Sequence, residues 1–516
     1  MSDLLLRDVR IVPLDGDLGS SAGLPAHGAD ASGRLVDVLL GRGVVSATGT
    51  DIEAPPGTAV VDGAGRWALP GLWDHHVHLT QWASSRSRLD LSGARSVAEA
   101  VAVVRHRLAL GPLPPTGVLV GFGHRSATWG EELSVAALDR ATTAVPVVLI
   151  SGDAHHGWLN SPALRLLGVS VETTGVLAEG DWFPVYDRLS SLPGARADAE
   201  SGVGRVIRDA HARGVVGLTD LEFGRPWRQW QERTDAGLPP LRARIGVYPE
   251  GLQEVLDAEV RTGDLVGRTD GLVRLGPLKI ISDGSLNTRT AWCCEPYADA
   301  AVLEHPRGAP NLDGEELHTL LATAHAAGLE VALHAIGDAA VGQALRAFAA
   351  TGAVGGIEHA QLVAPEDLDR WAGLPVRASV QPAHLLDDRV VTEQCWPDRT
   401  GRTFTLRSFL DRGIEVVLGS DAPVAPLDPW LAMAAAVHRG PVGSPSWHPE
   451  QALTPQEALA ASVDGRRVHV GDPADVVLVD ADPRGEPGMT SAEHAAVLLG
   501  LQVSATVLDG QVVHGG

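Results

Sequence analysis

Apolar positions fall in short blocks separated by polar and glycine-rich stretches, and the blocks differ between the ends and the middle of the chain. Residues 4–12 (LLLRDVRIV) and 35–41 (LVDVLLG) predict short strands, and 58–69 continues that pattern up to Pro70. Between them, residues 15–33 are rich in Gly, Ala, Ser and Asp and predict a surface loop. Near the other end, 474–480 (ADVVLVD) and 495–513 predict strands again, with a turn at Asp509-Gly510. The expectation is that residues 1–68 and 465–516 pack together as one small composite β-domain of sandwich type.

The middle, residues 69–464, has a different rhythm. Candidate strands are VPVVLIS (145–151), VVGLTDL (215–221), LVRLGPLKII (272–281), LEVALHA (329–335), GGIEHA (355–360), VRASVQ (376–381) and IEVVLGSD (414–421). Helical patterns fall between many of them, as in GEELHTLLATAHAAG (314–328). Strands alternating with helices imply a parallel sheet covered by helices, and about eight strands favour a TIM-type (β/α)₈ barrel with insertions over an open sheet.

Composition narrows the function classes. The chain has 516 residues, 44% of them apolar, enough for a large core. The net charge of −23 argues against nucleic-acid binding, which needs basic patches. Three cysteines, Cys293, Cys294 and Cys395, lack zinc-type spacing and read as reduced packing thiols of a cytoplasmic protein. The N-terminus does not read as a signal peptide, and no apolar run is long enough to predict a membrane span.

Polar residues recur where the candidate barrel strands end, the face on which a barrel builds its active site. Asp74, His76 and His78 end the first strand, Lys279 lies near the end of 272–281, and His334, His359 and Asp421 end three later strands. An unpaired polar group on a buried strand costs about 1–3 kcal/mol, so each of these residues sits where an apolar one would be cheaper. His76 and His78 are two apart and face one side, which lets both reach one ion. Imidazole suits Zn²⁺, and also Fe or Ni. Alone the pair is weak evidence and reads more readily as two satisfied histidines. With two later histidines and a terminal aspartate, it reads as a metal centre.

These residues lie in segments that resemble a known family. PGLWDHHVH is similar to the first-strand signature PGxxDxHxH of the amidohydrolase superfamily. GDAHHGWLNSPAL (152–164), TGVLAE (174–179), LKIISDGSLNTRTA (278–291), LHAIGDAA (333–340), IEHAQ (357–361), SVQPAH (379–384), LGSDAPV (418–424) and GDPADVVLVDADP (471–483) resemble the branch called amidohydrolase family 3, which includes N-substituted formamide deformylases. The resemblance spans almost the whole chain. It implies a distorted (β/α)₈ barrel, one or two divalent cations with Zn²⁺ as default, and hydrolysis of a small-molecule substrate. His76, His78, His334 and His359 match metal ligands, Lys279 matches a lysine that in many relatives is carbamylated and bridges two metals, and Asp421 matches a ligand that also shuttles protons.

Other expectations are less tightly held by the pattern. Asp74 and Asp338 are candidates to support the ligands from behind, Asp338 alternatively capping the following helix. Ser420 is placed either to orient Asp421 or to build its turn. His124, Trp129, His155, Trp158, Asn160, Arg289 and His384 are candidate substrate contacts, and the indoles among them hint at an aromatic or apolar acyl or amine group. Ala154 stands where the family usually has glycine. The segment 283–289 should border the mouth of the site. The leading reading is hydrolysis of a linear amide, formamide or carbamate. Ring deamination or lactone hydrolysis by the same chemistry, and a non-catalytic binding protein on an inherited barrel, are the alternatives. A homodimer is compatible with the sequence.

Overall fold

A computed structural model describes residues 3–14, 33–86, 88–113, 116–170, 174–224 and 226–516, so the predicted loop at 15–33 lies almost wholly outside the described residues. Eight parallel strands form the barrel, in the order Leu72–Val77, Val215–Asp220, Arg242–Val247, Val273–Ile281, Val331–Ala335, Gly355–His359, Val376–Val380 and Val416–Leu418. Each pairs with the next in sequence. The strands are buried along nearly their whole length, as apolar runs covered by helices must be. One large apolar cluster lies between strands and helices, with Leu218, Ile245, Leu333 and Ile357 contributed by strands and Val341, Leu345 and Phe348 by the helix Asp338–Thr351.

Two strand expectations are corrected. Residues 145–151 do not belong to the barrel. Val147–Ser151 sits in a separate five-stranded sheet with Leu89–Asp90, Leu119–His124, His156–Leu159 and Val176–Ala178, inserted between the first and second barrel strands. It was open to confusion because it too is buried and parallel to a neighbour. The true third barrel strand, Arg242–Val247, escaped the apolar pattern because Arg242 and Arg244 alternate with its core residues. These arginines face the opposite end of the barrel from the site. Arg244 pairs with Asp464 at 2.7 Å and lies over Trp73, while Arg242 forks onto Asp475 at 2.7 and 3.0 Å.

The two chain ends form one eight-stranded sheet. The strand Trp67–Pro70 joins Leu4–Ile11 on one side to Val476–Val479 on the other, and Val503–Leu508 and Gln511–Gly515 complete the edge. Leu6, Val38, Leu40, Val476, Leu478 and Val507 make its core. Residues 495–500, expected as strand, lie instead in the helix Ser491–Gly500. Thr490 caps that helix with Glu493 in a reciprocal box, a local signal that outweighs the β-like run VLLGLQV. Among the described residues, no helix is long and apolar enough to cross a membrane.

Candidate metal centre and substrate cavity

The barrel closes between its first and eighth strands, and the closing bonds assemble the site. The Asp421 N–H donates to the His76 carbonyl at 2.7 Å, and the His78 N–H donates to the Ala422 carbonyl at 2.9 Å. The Asp421 carboxylate is thereby brought to the two imidazoles. Its Oδ1 lies 3.3 Å from Nε2 of His76 and 3.3 Å from Nε2 of His78. The approach requires Gly419, where a Cβ would come within 2.8 Å of the His76 backbone nitrogen. Asp74 pins both sides of this seam rather than touching an imidazole. Its Oδ1 accepts the N–H groups of His76 at 3.1 Å and Ser420 at 2.9 Å. Burial raises the Asp74 carboxyl to about 7. Ser420 Oγ accepts the Ala422 N–H at 3.1 Å and so builds the turn that presents Asp421.

The donor set fits a cation. Nδ1 of His76 lies 2.7 Å from Glu358 Oε2, so the ring proton sits on Nδ1 and the Nε2 lone pair faces Asp421. Burial, followed by the Lys279 charge, pushes the His76 pKa down and keeps the ring neutral. With that tautomer the contact between His76 Nε2 and Asp421 Oδ1 sets acceptor against acceptor, an arrangement that a cation between them relieves. Burial opposes ionisation of Asp421, yet the surrounding imidazoles of His76, His78 and His359 hold its carboxyl well below the usual range. A second trio shares this carboxylate. Ligand atoms of His359, His384 and Asp421 all lie within 4.8 Å of one another, with His384 Nε2 at 3.9 Å from Asp421 Oδ2. Nζ of Lys279, Nδ1 of His78 and Nε2 of His384 are buried without a hydrogen-bond partner.

His334 sits beside His359, ring centroids 4.6 Å apart, and its Nε2 lies 3.3 Å from the Gly284 carbonyl, leaving Nδ1 as the free lone pair. Burial and the Lys279 charge lower its pKa to about 3. His359 and Asp421 both hold left-handed backbone, at φ 71° and 55°. Such conformations cost on the order of 1–3 kcal/mol each and concentrate at functional sites.

The inserted sheet covers this end of the barrel. Its His155 lies 3.0 Å from Glu179 through Nδ1, and Glu179 also accepts the hydroxyls of Thr288 and Thr290 at 2.6 and 2.8 Å. Burial disfavours the charged imidazole, but Glu179 outweighs it and raises the pKa to about 9. The cavity has two lobes that meet at His155, His334, His359 and Asp421. One has His124, Arg125, Asn287, His384, Asp387 and Asp388 among its walls. The other holds His76, His78 and Lys279 beside Phe183, Phe223 and Tyr248.

Several expected contacts lie elsewhere. Trp158 is fully buried in the inserted sheet, its Nε1 donating to the Ser134 carbonyl. Trp129 packs in the same apolar cluster. Asn160 is also fully buried and caps the helix Ser161–Leu166, its amide bonding Val147, Ala163, Thr142 and Val145 backbone groups. Arg289 turns to Asp299 and to its own loop at the Asn287 carbonyl, although neighbouring Ser285, Leu286 and Asn287 do border the cavity. Asp338 neither supports an imidazole nor caps its helix. It accepts the Cys294 N–H at 2.8 Å and pairs with Arg402, and Gly337 is the capping residue. Cys293 and Cys395 are packing thiols, but Cys294 is exposed.

Ala154 has φ 63°, left-handed backbone that explains why glycine suits this turn. Ala154→Gly is expected to raise stability by about 1 kcal/mol, read as a higher urea midpoint at unchanged slope.

Glu358 and Glu179 were missed. Both carried a signal, since a carboxylate on a buried strand or beside a buried loop requires a partner.

Comparison with known proteins agrees with this architecture. The family model described as "Amidohydrolase family" matches residues 59–514. YtcJ of Bacillus subtilis (strain 168), which carries an amidohydrolase name, is 27% identical over 93% of this chain and 96% of its own. The N-substituted formamide deformylase of Arthrobacter pascens is 25% identical over 86% of this chain and 90% of its own. In fold, the chain resembles a crystal structure from Pyrococcus horikoshii OT3 titled an uncharacterized metal-dependent hydrolase, with TM-score 0.74, 24% identity and coverage of 96% and 99%.

Proposed function

Because the chain belongs to the amidohydrolase family and is a metal-dependent hydrolase acting on small molecules, we propose that it cleaves a non-peptide C–N bond in a linear amide, formamide or carbamate. The observation that carries this reading is the convergence of His76, His78 and Asp421 across the barrel seam.

His76, His78 and Asp421 would hold one divalent cation, with zinc the best match to imidazole and carboxylate donors. His334, His359 and a carbamylated Lys279 would serve a second, the lysine amine having first added to carbon dioxide with loss of a proton. Such cations acidify a water molecule and polarise the scissile carbonyl. Asp421 takes the water's proton and passes it to the leaving nitrogen, first base and then acid. Nε2 of His384, buried, unpartnered and 3.9 Å from Asp421 Oδ2, is placed to donate to the carbonyl oxygen as charge gathers there. The His155–Glu179 pair keeps a positive ring at the junction of the lobes. Glu358 fixes the tautomer and aim of His76.

A panel of N-acyl amines, formamides, carbamates and cyclic amides, offered to metal-replete protein, tests the proposal. The expected result is turnover of linear amides that a chelator abolishes and added zinc restores. Ammonia release from aminated rings, with all linear amides untouched, would contradict it.

A further inference from the structure

The chain contains only six phenylalanines and three tyrosines. Four of these nine, Phe183, Tyr186, Phe223 and Tyr248, line the lobe that holds His76, His78 and Lys279. They arrive from three separate segments: the helix Glu179–Ser190 of the insertion, the loop after the second barrel strand and the residue after the third. Phe223 is the telling member. It is 37% exposed and belongs to none of the buried apolar clusters among the described residues. Its ring stacks on His78 at 5.5 Å and 20° and lies 4.8 Å from Tyr248 and 6.2 Å from Phe183. A phenylalanine that contributes to no core and stands open in a cavity beside a candidate ligand is a binding surface, because exposed aromatic area in a cleft is stabilised when a ligand covers it. Tyr248 is held in place from behind, its hydroxyl donating to the Leu221 carbonyl at 2.9 Å.

The opposite lobe carries charged and amide side chains that are paired with one another. Arg125 pairs with Asp387, and Asp388 accepts hydrogen bonds from Gln361 at 3.0 Å and Asn287 at 3.4 Å. The two lobes meet at Asp421, which both share along with Asp153, His155, His334, His359 and Val424.

We propose that the substrate carries an aromatic ring that seats against Phe223, Phe183 and Tyr248. This rests on the hydrolase reading above and adds the substrate class to it.

The test compares matched amides that differ only in a benzyl, a cyclohexylmethyl or an ethyl group, assayed with the metal-replete full chain and with Phe223→Leu, which keeps apolar volume but removes the ring. The benzyl amide is expected to exceed the cyclohexylmethyl amide in kcat/KM by about five- to tenfold, the scale of one aromatic stacking contact. Phe223→Leu should bring that ratio close to one at unchanged metal content. Equal rates for the two six-carbon rings in the natural protein, or a ratio unmoved by Phe223→Leu, would overturn the inference while leaving hydrolysis intact. Absence of turnover for every amide would instead count against the hydrolase reading. In that case, titration of benzylamine and cyclohexylmethylamine by calorimetry still decides the matter. Tighter binding of benzylamine that Phe223→Leu abolishes supports the aromatic seat, and equal binding refutes it.

Discussion

Asp421→Asn is expected to lower kcat by about 10²- to 10⁴-fold, the range that a positioned proton-transfer group contributes. The substitution preserves shape, and asparagine tolerates the left-handed backbone at φ 55°, so the barrel seam should close as before. The amide can neither take a proton from water nor give one to a leaving nitrogen. It also offers a neutral oxygen to His76 and His78, so cation affinity falls as well. The two effects separate by reconstitution. Excess zinc should restore metal content in the variant while kcat stays low. A loss of less than about tenfold at full metal content would show that another group moves the proton.

The second large effect is on stability and lies far from the site. Asp475 is completely buried, accepts the fork of Arg242 at 2.7 and 3.0 Å, pairs with Arg466 and accepts the Asp509 N–H at 2.8 Å. It ties the sheet built from the chain ends to the closed end of the barrel. Asp475→Ala removes the anion shared by two guanidinium groups, leaving Arg242 with the longer contact to Asp509 and Arg466 with the longer contact to Asp464. Breaking a buried pair from one side costs about 3–5 kcal/mol. The expected result is a large fall in the urea midpoint, with kcat/KM per folded molecule unchanged because no catalytic group is touched. Arg242→Ala should cost less, since Arg466 still neutralises the carboxylate. Equal losses would show that Arg466 does not neutralise the carboxylate once Arg242 is gone.

The centre was legible in the sequence because buried parallel strands have little reason to carry polar residues. His76, His334 and His359 each interrupt such a strand at its end and Asp421 follows the eighth strand by three residues, and the structure places all four around one cavity. The bracketing β-structure was legible for a similar reason, since alternating apolar runs at both ends must pair with something. The third barrel strand was hidden because its arginines serve an ionic layer at the barrel's far end, which reads as surface. Residues 147–151 were misassigned because periodicity reports burial and direction, not which sheet a strand joins. Trp158 and Asn160 were misread because a motif records that a residue matters without saying whether it meets substrate or backbone. Here both bond backbone groups. The aromatic lobe could not have been read at all, since Phe183, Phe223 and Tyr248 are distant in the chain and meet only in the fold.

Anomalous diffraction from crystals of zinc-supplemented protein tests the metal centre most directly. The expected result is a strong peak between Nε2 of His76, Nε2 of His78 and Oδ1 of Asp421, with a second on the side of His359 and Lys279. A seam empty of anomalous density, in protein shown to have been saturated with zinc, would contradict it.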